Sequence, residues 1–221
     1  EDIAPLGLYA VTRSHDVATR LADDIERIVE AVEVTVVVDE IDSRYKAKSE
    51  FTGVPSGFGK LDTMTNGFQK SELIIIGARP SIGKTAFALS MMENIAIQKK
   101  ISCGFFSLEM PYESIGMRLI SQVSKIPSHK IRSGQLSRQD FVRLQNAAGA
   151  CFKSPFYIVD TPNMKLLDLR AMARRFRLQY KVEIIFIDYI TLIQSENTMI
   201  PRHEQIAEIS RSLKSLAREL E

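Results

Sequence analysis

Between residues 17 and 32 the apolar side chains Val17, Leu21, Ile25, Ile28, Val29 and Val32 recur every three or four positions, the spacing that lays one apolar stripe along an α-helix. The β-branched run 34–38 fits either a strand or the end of that helix. Residues 39–50 are highly charged, with Ile41 and Tyr45 as their main apolar side chains, and read as a helical linker. The Gly, Pro and Ser density of residues 51–59 predicts a loop, since these residues supply the turn conformations that regular elements exclude. The pattern thus divides the chain into a helical N-terminal segment (1–36), a linker (37–50) and a main domain (51–221).

Within the main domain, short apolar runs alternate with helical spacing. Residues 73–76 are continuously apolar and predict a buried strand, followed by a helix over 86–92. A second strand is expected over 103–108 and a helix over 111–124, with Pro111 near its start, where a missing N–H costs nothing. Ser137 with Asp140 three residues on has the form of an N-cap, opening a helix whose apolar side includes Phe141, Leu144 and Ala148. A third strand over 156–159, a helix over 165–180 and a strand over 182–188 follow. Ile206, Ile209, Leu213, Leu216 and Leu220 share one face of a last helix that runs into Glu221 without a stop signal, so the domain is expected to continue past it. Strand–helix alternation of this kind predicts an α/β fold built on a mainly parallel, doubly wound sheet.

The chemistry concentrates where the first apolar run meets its helix. Gly77-Ala78-Arg79-Pro80-Ser81-Ile82-Gly83-Lys84-Thr85 has the form of a phosphate-binding loop, with Ala78 where the strict pattern has glycine. In such a loop the backbone amides of Ala78, Arg79, Pro80's neighbours Ser81 and Ile82, and Gly83 surround phosphate oxygens. Lys84 reaches the β- and γ-phosphates, Thr85 ligates Mg²⁺, and the helix adds its positive N-terminal end. Asp188 closes a nearly unbroken apolar strand, so its carboxylate emerges at the C-terminal edge of the sheet, where ligands bind in open α/β folds. It is the candidate Mg²⁺-side acid, the alternative being a simple strand cap. Glu109 follows the 103–108 strand at the same edge and is equally readable as the group that activates water or as a first-turn glutamate favoured by the helix dipole.

Composition narrows the picture further. With 221 residues and 45% hydrophobic content the chain can bury one substantial core. No apolar run approaches a membrane span, and the start, Glu1-Asp2, has neither a secretory pattern nor an initiator methionine; we expect a cytoplasmic piece of a longer protein. Cys103 and Cys151 lie in or beside apolar stretches and read as buried free thiols. His15, His129 and His203 stand singly and give no zinc pattern. The metal expected is Mg²⁺ carried by a nucleotide. The net charge of +2 hides an acidic first fifty residues, with twelve Asp/Glu against six Lys/Arg, and a basic remainder. Arg170, Arg174 and Arg177 share a helical face with Arg175 beside them, and Arg211, Lys214 and Arg218 form a second series. Both fit a solvated or subunit-facing surface as well as a nucleic-acid contact, and the polar loop 194–201 has no stacking aromatics to favour the latter.

Five blocks in order carry a family resemblance: residues 51–58 with Leu61-Asp62, the loop 77–89, Phe106-Ser107-Leu108-Glu109-Met110, Ile187-Asp188-Tyr189, and residues 209–220. Together they resemble the bacterial replicative DNA helicase of the DnaB type, over roughly residues 41–221; residues 1–36 look unlike the usual N-terminal domain of that family. The resemblance implies a RecA-like ATPase motor domain that assembles as a homo-hexameric ring, encircles single-stranded DNA and moves 5′ to 3′ to open forked duplex DNA with ATP and Mg²⁺. It implies a primase and a helicase loader as partners. By motif position Lys84 and Thr85 are the phosphate-loop pair, Glu109 the water-activating residue and Asp188 the Mg²⁺-linked acid. Ile41 and Tyr45 fall where such proteins have a linker helix that packs on a neighbouring subunit. The family's glutamine sensor, arginine finger and later DNA-binding loops would lie beyond Glu221. Two other readings share the loop chemistry: a non-unwinding RecA-like ATPase of recombination or repair, and a nucleotide-gated binding module.

Overall fold

The computed structural model describes residues 51–197 and 199–221. The helix expected over 17–32, the run 34–38, and the linker with Ile41 and Tyr45 lie outside the described residues. Phe51–Glu221 forms a compact unit of its own.

Its centre is a parallel sheet of β1 (Cys103–Ser107), β2 (Phe156–Val159) and β3 (Ile184–Asp188), in the spatial order β2-β1-β3. Cys103 lies opposite both Phe156 and Ile184, and Ser107 lies opposite Asp188. β1 is buried along its whole length, as a central strand covered on both faces must be. Alternate side chains go to opposite faces. Cys103 and Phe105 join Leu89, Met92, Ile95, Ile115 and Leu119 on one side, whereas Phe106 joins Leu169, Phe176, Ile209, Leu213 and Leu216 on the other. Helix therefore covers both faces. On the Phe105 side lie α2 (Lys84–Met92), which continues as a π-helical turn over Glu93–Gln98, and α3 (Tyr112–Ser124); on the Phe106 side lie α6 (Leu166–Tyr180) and α7 (Arg202–Leu220). Gly104 is dictated by this packing: a Cβ there would come within 2.6 Å of the Phe176 ring.

Three departures from the sequence pattern are informative. Residues 73–76 form no strand: Ile74, Ile75 and Ile76 are 46%, 66% and 44% exposed, and only Leu73 packs on a core cluster. An apolar run reports side-chain character, but a strand also needs a ladder partner for its backbone, and this run has none among the described residues. The helix opened by Ser137 is α5 (Arg138–Phe152), whose capping box is complete, yet its buried residue is Ala147, while Phe141 is 52% exposed and Ala148 is exposed too. It packs on α3 through a narrower face than the apolar spacing implied. Two short helices, α1 (Gly59–Thr65) and α4 (Ser128–Ser133), have no strong periodicity and were not expected.

The segment before α1 is a built element rather than a plain linker. The Asp62 carboxylate is 3% exposed and accepts from the Ser56 amide (2.7 Å), the Ser56 hydroxyl (2.6 Å) and the Gly57 amide (3.0 Å). Three donors on one buried carboxylate offset its desolvation. Asn94 of the π-helical turn donates to the Ser56 carbonyl at 3.2 Å, tying the segment to the end of α2. Gly57 takes φ +83°, and a Cβ there would collide with the Asn94 side chain.

Candidate nucleotide and catalytic site

The loop at residues 78–83 folds back on itself through a bond from the Ile82 amide to the Arg79 carbonyl, 3.4 Å. Ser81 (φ 65°) and Gly83 (φ 109°) both take left-handed backbone, a conformation that turns amides inward to make an anion-binding hollow. Gly83 is the N-cap of α2 and provides no side chain, so the first amides of α2 lack a side-chain cap. These are the groups that a helix N-terminus offers to an anion. The Lys84 ammonium reaches back over the loop to the Ala78 carbonyl, 3.1 Å, and lies 5.9 Å from the centre of the Tyr189 ring.

Thr85 joins this loop to the sheet. Its hydroxyl donates to the Asp188 carboxylate at 2.7 Å, across 103 positions of sequence. Asp188 is 7% exposed at the tip of β3, so its charge is held under cover and faces the loop. A hydroxyl and a carboxylate oxygen are hard donors. They suit Mg²⁺, which keeps several waters and takes its remaining ligands from phosphate, and they fit the nucleotide-borne metal expected from sequence. Among the described residues no cluster of three or more His, Cys, Asp or Glu forms a protein-only metal cage.

Glu109 is exposed on the turn after β1. The Leu108 amide donates to the Asp188 carbonyl at 2.9 Å, and with Ser107 opposite Asp188 this puts Glu109 two residues beyond that level on the same sheet edge. Lys84, Thr85, Glu109 and Asp188 are thus collected at one edge. The contacts that hold Glu109's turn were not legible beforehand: the Ser107 hydroxyl bonds both the carbonyl and the amide of Met110, and Asp160 at the end of β2 accepts from the Tyr112 amide at 2.8 Å.

The arginine face has a structural use. Arg174 makes a two-point pair with Glu219, with Nη2 to Oε2 at 2.9 Å, and Arg170 lies 3.5 Å from the same carboxylate; they cross-link α6 to α7. The pairing raises the Arg174 pKa, and the hydrogen bond from Arg174 holds the Glu219 carboxyl below its usual range. Lys214 of the second series donates to the Ser71 carbonyl at 2.9 Å. The loop 194–201 is pinned where it begins, since Gln194 exchanges backbone bonds with Met164 and Leu166. Cys103 is fully buried and burial pushes its thiol up to about 12, as an inert core thiol should be; Cys151 is only half-buried.

A parallel sheet covered on both faces, with its loop and acids gathered at the strand ends, defines an α/β domain of the RecA-like ATPase class. Residues 53–221 match the DnaB-like helicase C-terminal domain, and the chain belongs to that family. It is 54% identical over 185 residues to the replicative DNA helicase DnaB of Treponema pallidum, covering 84% of this chain and 42% of that protein. To the corresponding protein of Geobacillus stearothermophilus it is 43% identical over 184 residues, 83% of this chain and 40% of that one. A solved ATPase domain superposes with a TM-score of 0.78 at 34% identity, over 85% of this chain and 66% of that one. A DnaB-like replicative helicase whose interactions with primase were described superposes with a TM-score of 0.77, also at 34% identity, over 85% of this chain and 46% of that one. The chain spans less than half the length of the curated relatives it matches.

Proposed function

We propose that this chain is the motor part of an ATP-dependent replicative DNA helicase subunit, working as a homo-hexameric ring that moves 5′ to 3′ on single-stranded DNA and opens forked duplex DNA. The observation that carries the reading is the 2.7 Å bond between Thr85 and Asp188, which joins the phosphate loop to the acid at the strand tip. The family match from residue 53 and the compact unit from Phe51 support a motor domain over 51–221; the linker over 37–50 and the segment over 1–36 rest on the sequence pattern alone. Among the described residues no helix is long and apolar enough to cross a membrane, and a cytoplasmic place suits a replication protein. The primase named with the structural relative points to a primase partner here, with a loader to place the ring.

In this reading the amides of residues 78, 79 and 81–83 and of early α2 hold the ATP phosphates, while Lys84 leaves the Ala78 carbonyl to meet the β- and γ-oxygens. Thr85 and Asp188 would hold Mg²⁺, which would supply positive charge to offset that on the phosphate oxygens. Glu109 orients the attacking water and takes its proton as the new P–O bond forms and the β–γ bridge breaks, the electron pair leaving with ADP. General-base help of this kind contributes about 10²–10⁴-fold.

Unwinding of a forked duplex by the intact parent protein, beside its Lys84→Ala variant, tests the reading. Unwinding by the parent and its loss in the variant are expected. DNA-stimulated ATP hydrolysis with no strand separation would instead identify a non-unwinding RecA-like ATPase, and neither activity would leave a nucleotide-gated binding module.

A further inference from the structure

β1 is buried on both faces, and four of its five residues are apolar or glycine. Ser107, its last residue, is 2% exposed. A hydroxyl in such a place destabilises the fold unless it is bonded, so a partner that only this side chain can satisfy is informative. Its oxygen donates to the Met110 carbonyl and accepts from the Met110 amide at 3.3 Å. The residues enclosed are Leu108 and Glu109. The turn and the helix start that follows it are each bonded to a neighbouring segment. Leu108 donates to Asp188 of β3, and Asp160 beyond β2 accepts from Tyr112, the first residue of α3, whose N-cap Pro111 makes no side-chain cap bond. Glu109 therefore sits on a turn of four residues closed internally by one buried hydroxyl and bonded to the tip of β3, and the helix start just beyond it is bonded to Asp160 after β2.

A group that orients water must be held to within roughly half an ångström to be effective, and an exposed glutamate on a free turn would not be. From this we infer that Ser107 is a positioning residue for Glu109, with Asp160 steadying the helix start that follows the turn. The inference rests on the reading of Glu109 as the water-activating group. It requires no contact between Ser107 and nucleotide.

The test uses the intact parent protein and measures steady-state DNA-stimulated ATP hydrolysis together with binding of a fluorescent ATP analogue. Ser107→Ala should lower kcat about tenfold, a fraction of what a general base contributes, while KM and analogue affinity stay within about twofold. Ser107→Thr, which keeps the hydroxyl, should recover most of the rate, and Asp160→Ala should repeat the kcat loss in milder form. In a Glu109→Gln background, Ser107→Ala should change the residual rate no further, because residues that act through one another are not additive. A normal kcat for Ser107→Ala beside an inactive Glu109→Gln would overturn the positioning role alone. So would an equal loss of nucleotide affinity, or a Ser107→Ala effect that persists undiminished in the Glu109→Gln background. Full hydrolysis by Glu109→Gln would remove the Glu109 assignment itself, and this inference with it.

Discussion

Thr85 and Asp188 are 103 positions apart and share a 2.7 Å hydrogen bond, whereas Lys84, one residue away, bonds the Ala78 carbonyl of the loop. Neighbours on a helix point about 100° apart, so the two side chains can serve phosphate and metal separately. Gly104 is equally specific. A methyl group placed there meets the Phe176 ring at 2.6 Å, and Phe176 is wedged between Phe106, Tyr157 and Tyr180. Gly104→Ala is expected to destabilise the domain by about 1–3 kcal/mol, the usual cost of overpacking, measured as a lower urea midpoint with an unchanged slope. The glycine's presence was plain in the sequence, but its reason was not, because Phe176 lies on α6, more than seventy residues later in the chain.

At the scale of elements, α6 and α7 pack together on the Phe106 face and are cross-linked by Arg170, Arg174 and Glu219. The Glu219 carboxyl is held below its ordinary 4.5 chiefly by the hydrogen bond from Arg174, while the guanidinium stays charged throughout. A depressed folded-state value means that the contribution is fully present above 4.5 and is lost as pH falls through the lower folded value. Glu219→Gln should therefore lower the melting temperature slightly at pH 7, with the difference from the parent shrinking below pH 4.5; a pH-independent difference would show that the pair acts through packing alone. The existence of α2, α3, α6 and α7 was legible, α7 through one apolar stripe that the fold buries at Ile209, Leu213 and Leu216. α5 was read too apolar on one side, since Phe141 is spaced as a core residue yet half exposed. Its neighbours, not its periodicity, decide which part of the stripe is covered.

On the scale of the whole domain, the site gathers residues from three separate segments at one sheet edge, and in the proposed ring a neighbouring subunit would add an arginine at the same nucleotide. An arginine supplied in this way contributes about 10³ or more to phosphoryl transfer. The isolated 221-residue chain is thus expected to hydrolyse ATP at least about 10³-fold more slowly than the assembled parent in a coupled-enzyme assay; comparable turnover would show that the site is complete within this chain. By itself the sequence determined the class of fold and the family, and marked out a candidate phosphate loop and two candidate acids, because these depend on local spacing: apolar runs, turn residues, and acids at strand ends. Only the tertiary structure decided that residues 73–76 pair with no strand among the described residues, that Thr85 meets Asp188, that Arg174 bonds Glu219 of α7, and that a buried serine closes the turn beneath Glu109. Each of those depends on which distant backbone or side chain becomes a neighbour, and a hydrogen bond exists only once both of its partners are in place.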